Sequence, residues 1–329
     1  MKALNVTQPG KDSRLILQNY PVPEPDADQV LIRVHYTAMN RADLLQMEGR
    51  YPVPEGVSDI PGLEVAGIIK ETGSNVTSVE TGQAVCALLD GGGYAEYAVV
   101  DNRMIMPVEP PLSLKEAAAI PEVFLTAWQA LFWLGRLQAD ENVLIHAGAS
   151  GVGTAAIQLA RKIKDANIAT TAGSPEKLEI CSKLGADVKI NYKEENFGDV
   201  INKTWGESSV NLVLDFIGAP YWQQNLNVLS MDGRLVMLAL LGGAKSELSI
   251  GRILRKRLTV KGSTLRNRSR DYKRKLTKEV YQQVFPLIRS GDMYAVIDSE
   301  YHWSDAEKAR QRMNSNLNAG KIVLRVAED

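Results

Sequence analysis

Between residues 142 and 262 short apolar runs recur near 142–147, 167–172, 187–191, 210–216, 234–241 and 258–262. Helix-length segments such as Pro175–Leu184 and Tyr221–Ser230 separate most of them. This alternation leaves few folds open. Parallel strands need long crossovers, usually helices, and those helices cover both faces of the sheet. Six such strands complete a doubly wound sheet whose ligand crevice lies at the strands' carboxyl ends. The flanking sequence has a different rhythm. Up to about Pro121 it reads as β-rich, with runs such as Val30–Tyr36 and Gln83–Leu89 bounded by Pro and Gly clusters. After about Thr264 come an amphipathic helix near Lys278–Ile288 and a final strand-like run, Lys321–Val326, expected to return to the first domain. The expected architecture is α/β: residues 122–263 form a doubly wound parallel-sheet domain inserted into a discontinuous domain of residues 1–121 plus 264–329.

The first apolar run of the inserted domain enters a glycine-rich turn, Val143-Leu-Ile-His-Ala-Gly-Ala-Ser-Gly-Val-Gly-Thr154, and a helical pattern follows. In that order strand, turn and helix N-terminus aim backbone N–H groups and the positive end of the helix dipole at one point, a pocket for phosphate. On the fingerprint G-x-G-x-x-G the register is Gly148, Ser150, Gly153. Gly148 serves the tight turn and Gly153 the close packing of helix on strand. Ser150 stands where the middle glycine would let pyrophosphate approach the backbone.

The end of the second run selects the cofactor. NAD-binding folds place an Asp or Glu about 20 residues past the glycines, to accept the ribose 2′-OH. Here the strand end reads Thr171-Ala-Gly-Ser-Pro-Glu-Lys177 and carries no carboxylate. Ser174, Pro175 and Glu176 have the form of an N-cap, an N1 proline and a first-turn acid. Lys177 falls in the first turn, against the helix dipole, a conflict that a bound phosphate removes; the alternative is a solvated surface lysine. Tyr192, past the third strand, could flank the adenine or donate to the same phosphate, or be an ordinary half-buried tyrosine. NADPH is the expected cofactor.

Several chemistries are disfavoured. The three histidines, His35, His146 and His302, are widely spaced and lack metal-site companions, so no metal site is expected. Gly148-Ala-Ser-Gly-Val152 approaches the nucleophile elbow G-x-S-x-G but has Val152 in place of the last glycine. Two cysteines, Cys86 and Cys181, cannot build a disulfide framework and fit a reducing compartment. The N-terminus lacks a secretory apolar core, and Ala117–Gly135 reads as a buried helix rather than a span, so a cytoplasmic location without membrane partners is expected. The net charge of −1 argues against nucleic acid as a partner. The basic run from Arg252 to Lys275 is expected to be a solvated face. Gly233–Gly243 reads as a strand buried on both faces.

Together these residues resemble the zinc-independent quinone oxidoreductases of the medium-chain dehydrogenase/reductases, nearest the human tumour-suppressor-inducible subgroup. Matching segments span essentially the whole chain: Ala38–Leu45, Gly49–Pro52, Pro61–Gly67, Leu88–Gly93, Ala119–Pro121, Thr126–Trp128, Val143–Gly153, Gly185–Asp187, Gly262–Arg266 and Gly320–Leu324. The resemblance implies a Rossmann domain within a GroES-like substrate domain, and NADPH-dependent reduction of a flat quinone in a cleft between the domains, without metal or flavin. Asn40 and Leu63 occupy the places of a Cys and a His that bind zinc in other family members. By the same resemblance Asn40 and Tyr51 face the reacting end of the nicotinamide, Tyr51 meeting the substrate oxygen. Thr126, Ser150, Gly151, Val152, Ser174, Lys177, Tyr192, Gly218, Leu265 and Asn318 contact the cofactor. A homodimer is implied, joined at the sheet edge near Leu258–Gly262. Reduction of the C=C bond of 2-alkenals or enones is the alternative, and an RNA-binding or crystallin-like structural role is the alternative of another class.

Overall fold

A computed structural model describes residues 1–10, 12–248 and 250–327 and divides the chain into two units, Met1–Leu125 with Arg266–Asp329 and Thr126–Leu265. The N-terminal part of the first unit contains β1 (Lys2–Val6), β2 (Leu15–Asn19), β3 (Gln29–Met39), α1 (Arg41–Met47), β4 (Glu64–Thr72), β5 (Ala84–Leu88), β6 (Tyr97–Asp101), β7 (Ile105–Pro107) and α2 (Leu114–Ala117). The next helix, α3 (Pro121–Trp128), runs into a π-helical turn over Gln129–Leu134.

The second unit alternates strand and helix: β8 (Asn142–Ile145), α4 (Gly151–Lys164), β9 (Asn167–Ala172), α5 (Pro175–Lys183), β10 (Val188–Asn191), α6 (Phe197–Trp205), β11 (Val210–Asp215), α7 (Trp222–Val228), β12 (Leu229–Met237), α8 (Ile250–Lys256) and β13 (Thr259–Gly262). Among the described residues these strands form one parallel sheet in the order β10-β9-β8-β11-β12-β13. The order reverses between β8 and β11, so a crevice opens there at the carboxyl ends. Leu144, Ile190, Phe197, Ile201, Val213 and Leu235 pack into its core. Burying each such large side chain contributes about 1.5–3 kcal/mol.

The chain then returns to the first unit with α9 (Arg270–Arg289), β14 (Ile297–His302), α10 (Ala306–Asn314) and β15 (Lys321–Arg325). β15 pairs antiparallel with β3, Ile322 opposite Met39, in the sheet β14-β15-β3-β4-β5-β7. The final strand therefore does return to the first domain. This architecture is a β-rich GroES-like unit with a Rossmann-type parallel-sheet unit inserted.

Two expectations are corrected. The run Gly233–Gly243 is not one buried strand: β12 starts earlier, at Leu229, and ends at Met237, and Leu240 and Leu241 are exposed. The N–H groups of Leu241 and Gly242 donate to Phe216 and Ile217 carbonyls, so the chain folds over the end of β11. The basic run is not simply a solvated face either. Arg266 and Lys273 are buried. Lys273 pairs with Asp90 and donates to the Arg266 carbonyl at 2.9 Å. Arg274 pairs with Asp101, and the Lys256 ammonium donates to the Leu226, Asn227 and Leu229 carbonyls near the end of α7. Buried charge is tolerated only with such partners, and Asp90 and Asp101 lie more than 170 residues from the lysine and arginine they hold.

Candidate functional site

In the second unit the glycine-rich turn joins β8 to α4. A Cβ on Gly148 would stand 1.8 Å from Thr170 Oγ1, and one on Gly153 2.4 Å from the Ala147 carbonyl oxygen. Both positions therefore require glycine for close packing. Ser150 is the N-cap of α4, its Oγ accepting from the Gly153 N–H at 3.1 Å. The hydroxyl proton can still be donated outward. Gly151 and Val152 form the first turn of this 14-residue helix and are partly exposed at its positive end.

The next two strand ends lie beside it. Ser174 caps α5, accepting from the Lys177 N–H at 3.4 Å, with Pro175 in the first turn. The Tyr192 N–H donates to the Ala172 carbonyl at 3.2 Å, and its phenol lies where a Cβ on Gly173 would be. Ser174 and Lys177 thus lie just past the end of β9, and Tyr192 just past the end of β10, its phenol against Gly173. Gly218, at φ +84°, follows β11. Leu265 is buried at the unit's end. Thr126 Oγ1 is buried without a hydrogen-bond partner among the described residues. A buried polar atom left in that state calls for a ligand or water partner.

In the first unit strand register assembles a charged cluster. Pairing Ile322 with Met39 puts Lys321 beside Asn40, and pairing Thr37 with Val65 puts Glu64 beside Ala38. Lys321 Nζ donates to Asn40 Oδ1 at 2.5 Å and lies 2.7 Å from Glu64 Oε1. Asn40 Nδ2 donates to the same Glu64 oxygen at 2.9 Å and to the Ala38 carbonyl at 3.2 Å. The other Glu64 oxygen accepts from the Glu122 N–H at 2.9 Å. Asn40 also begins α1. Its N–H donates to Asp43 at 2.8 Å, and Asp43 accepts further from the Tyr94 hydroxyl at 2.9 Å and the Gly62 N–H at 3.2 Å. Burial pushes Asp43 up to about 6 against the pull of these donors.

Tyr51 lines a cavity of about 700 Å³ with Tyr20, Gln46, Pro52, Val53 and Ile60. Its phenol is pushed up to about 12, chiefly by burial and then by the Glu122 carboxyl. The Arg266 guanidinium sits 5.4 Å from the Tyr51 ring centroid, donating to Gln46 Oε1 at 2.9 Å and to the Asp90 carbonyl at 2.7 Å. Asn318 is apart from Tyr51 in this network, its amide donating to the Gly320 carbonyl at 3.0 Å next to Lys321.

Sequence reasoning named Asn40 and Tyr51 but passed over Glu64, Lys321, Glu122 and Arg266. A signal existed for the first two: each is a charge immediately before an apolar run, Glu64-Val-Ala-Gly-Ile-Ile and Lys321-Ile-Val-Leu. Among the described residues no three His, Cys, Asp or Glu side chains are grouped so as to hold a metal ion. None of the described helices is long and apolar enough to cross a membrane.

Comparison with known proteins agrees with this layout. The alcohol dehydrogenase GroES-like domain family matches residues 26–110, and the family described as zinc-binding dehydrogenase matches residues 151–282. Quinone oxidoreductase of Rattus norvegicus is 30% identical, over 98% of this chain and 97% of its own length. The crystal structure of Escherichia coli quinone oxidoreductase complexed with NADPH is similar at 26% identity and TM-score 0.88, covering 99% of each chain. That of CurK enoyl reductase is similar at 26% identity and TM-score 0.85, with the same coverage.

Proposed function

Because the chain belongs to the medium-chain dehydrogenase/reductase superfamily of oxidoreductases, among the relatives of quinone oxidoreductase, we propose that it is an NADPH-dependent quinone reductase working without metal or flavin. The observation that carries this reading is the end of β9. No carboxylate stands in Ala172-Gly-Ser174; Ser174 and Lys177 open the helix that follows β9, and Tyr192 follows the neighbouring strand β10. A 2′-phosphate fits such a place, where a ribose 2′-OH would lack its acceptor. The pyrophosphate is read onto the Gly148–Gly153 turn and the reacting end of the nicotinamide onto Asn40 and Tyr51, while Thr126, Gly218, Leu265 and Asn318 are assigned further contacts with the cofactor.

When bound, NADPH supplies the hydride, and the protein contributes binding, orientation and exclusion of water. Lys321 and Glu64 hold both ends of the Asn40 amide, so it presents one fixed edge. Tyr51 is the residue assigned to the substrate oxygen. With its phenol raised to about 12 it stays protonated through the neutral range and can donate. The test is NADPH oxidation by chelator-treated protein with quinones and 2-alkenals side by side. The reading requires the higher kcat/KM for quinones. Preference for alkenals would turn it to C=C reduction, in line with the enoyl reductase likeness, and activity appearing only with added zinc would reject the metal-free mechanism.

Lys177→Ala should weaken NADPH binding by roughly 10- to 150-fold and NADH binding little, since a charge-assisted contact is worth about 1.5–3 kcal/mol. Fluorescence titration with each cofactor measures this, and equal losses would remove Lys177 from phosphate recognition. A homodimer completes the proposal. β13 is the last strand of its sheet among the described residues, and Leu248, Ile250 and Leu254 in the segment that leads into it are exposed. An open apolar edge is a hazard unless it is paired, and a twofold axis would pair it with its copy. Sedimentation equilibrium at micromolar concentration should give twice 36.2 kDa; a single species at that monomer mass would reject the dimer.

A further inference from the structure

His146 follows β8 and is fully buried, its ring 4.7 Å from those of Phe197 and Tyr221. Its polar contacts form a continuous chain. The Ala147 N–H donates to Thr171 Oγ1 at 3.3 Å, and that oxygen lies 3.1 Å from His146 Nδ1. His146 Nε2 lies 2.8 Å from Asn225 Oδ1. Asn225 Nδ2 donates to Asp215 Oδ2 at 3.2 Å, and Asp215 accepts from the Ile217 N–H at 2.7 Å and the Gly218 N–H at 3.2 Å.

The end of this chain fixes every proton in it. A carboxylate only accepts, so Asn225 must turn its amine to Asp215 and its carbonyl oxygen to His146. Nε2 therefore carries the imidazole proton, Nδ1 accepts, and the single proton of Thr171 goes to Nδ1. All donors then point one way, from the glycine-rich turn toward Asp215, an arrangement in which each bond polarises the next. Burial lowers the basicity of His146, against the pull of Asp215 and Asn225, and favours this neutral form.

We propose that His146, as its Nε2–H tautomer, is a positioning residue that ties the glycine-rich turn to the Gly218 loop and so sets cofactor affinity without touching the cofactor. The chain joins Ala147, at the start of the turn, to Gly218, across the ends of β8, β9 and β11 where the sheet order reverses. The proposal rests on the reading of this crevice as the NADPH site. Three variants test it in the full-length protein. His146→Phe keeps a ring between Phe197 and Tyr221 but makes neither bond. His146→Gln offers a donor and an acceptor at one terminus. Thr171→Val is isosteric and breaks the chain at one link, which keeps the test open should His146→Phe not fold.

Fluorescence titration should show the NADPH Kd rising about tenfold or more in His146→Phe and severalfold in Thr171→Val, with His146→Gln within about threefold of wild type. At saturating NADPH, kcat should be unchanged, because the chemistry lies elsewhere. Unchanged Kd in His146→Phe or Thr171→Val, equal losses in the Phe and Gln variants, or a fall in kcat at saturation would each overturn the proposal. Wild-type protein that binds no NADPH would overturn the cofactor reading and this inference with it, whereas wild-type binding with indifferent variants would overturn this inference alone.

Discussion

Lys321→Met should cost about 3–5 kcal/mol of stability, the range seen when one partner of a buried ion pair is removed. Lys321 is 3% exposed and Glu64 fully buried, 2.7 Å apart. Methionine fills much the same volume, so the loss would come from Glu64, left with the Asn40 amide and the Glu122 N–H as its donors. The same change frees Asn40 Oδ1 and the Met39 carbonyl oxygen, both of which accept from the ammonium. Activity should fall together with stability, since the Asn40 amide would no longer be held at both ends. Urea unfolding at pH 7 measures the first effect. The double variant Lys321→Met, Glu64→Gln should be more stable than Lys321→Met alone, because no uncompensated charge remains. A single variant within 1 kcal/mol of wild type would show that the pair does not hold this end of the unit.

The contrast between the two units explains what was legible in the sequence. In the second unit the signals are local. A parallel sheet buried on both faces reads as apolar runs, and Gly148, Gly153, Ser174 and Pro175 mark turns and caps by residue type alone. The glycine-rich turn and the helix caps beside it were therefore visible residue by residue. In the first unit the charged cluster comes from register. Lys321 meets Asn40 across 281 residues and Glu64 meets Asn40 across 24, through antiparallel pairings that no short window contains. Arg266 and Lys273 were misjudged for the same reason, their partner Asp90 being 176 and 183 residues away. Where β12 ended was also a tertiary matter. Leu240 and Leu241 are as apolar as the strand before them, but the following loop hydrogen-bonds over the end of β11 and carries them into solvent.

Glu122→Gln should raise stability above that of wild type in alkaline solution and leave it nearly unchanged near pH 4. Glu122 lies in the first turn of α3, and burial followed by the neighbouring Glu64 carboxylate pushes its carboxyl up to about 8. Lys321 and Arg266 offset this only in part. In the unfolded chain the group titrates near its ordinary 4.5. Between those values the native state holds a proton that the unfolded state has released, so stability falls as pH rises through the window. The stabilisation is fully present below about pH 4.5 and lost as pH passes about 8. A shift of this size corresponds to about 2–4 kcal/mol between the two limits, allowing for the partial exposure of the side chain. Glutamine cannot ionise and removes the dependence, so the wild-type and variant curves should meet in acid and separate above about pH 6. The same proton bears on the reaction. Ionising Glu122 places a further negative charge near the Tyr51 phenol and strengthens its hold on its proton, so under the proposed function, with Tyr51 donating to the substrate oxygen, quinone reduction by wild type should decline toward pH 9 more steeply than reduction by Glu122→Gln. Parallel pH profiles of stability and of kcat/KM in the two proteins would show that Glu122 is an ordinary ionised surface carboxylate.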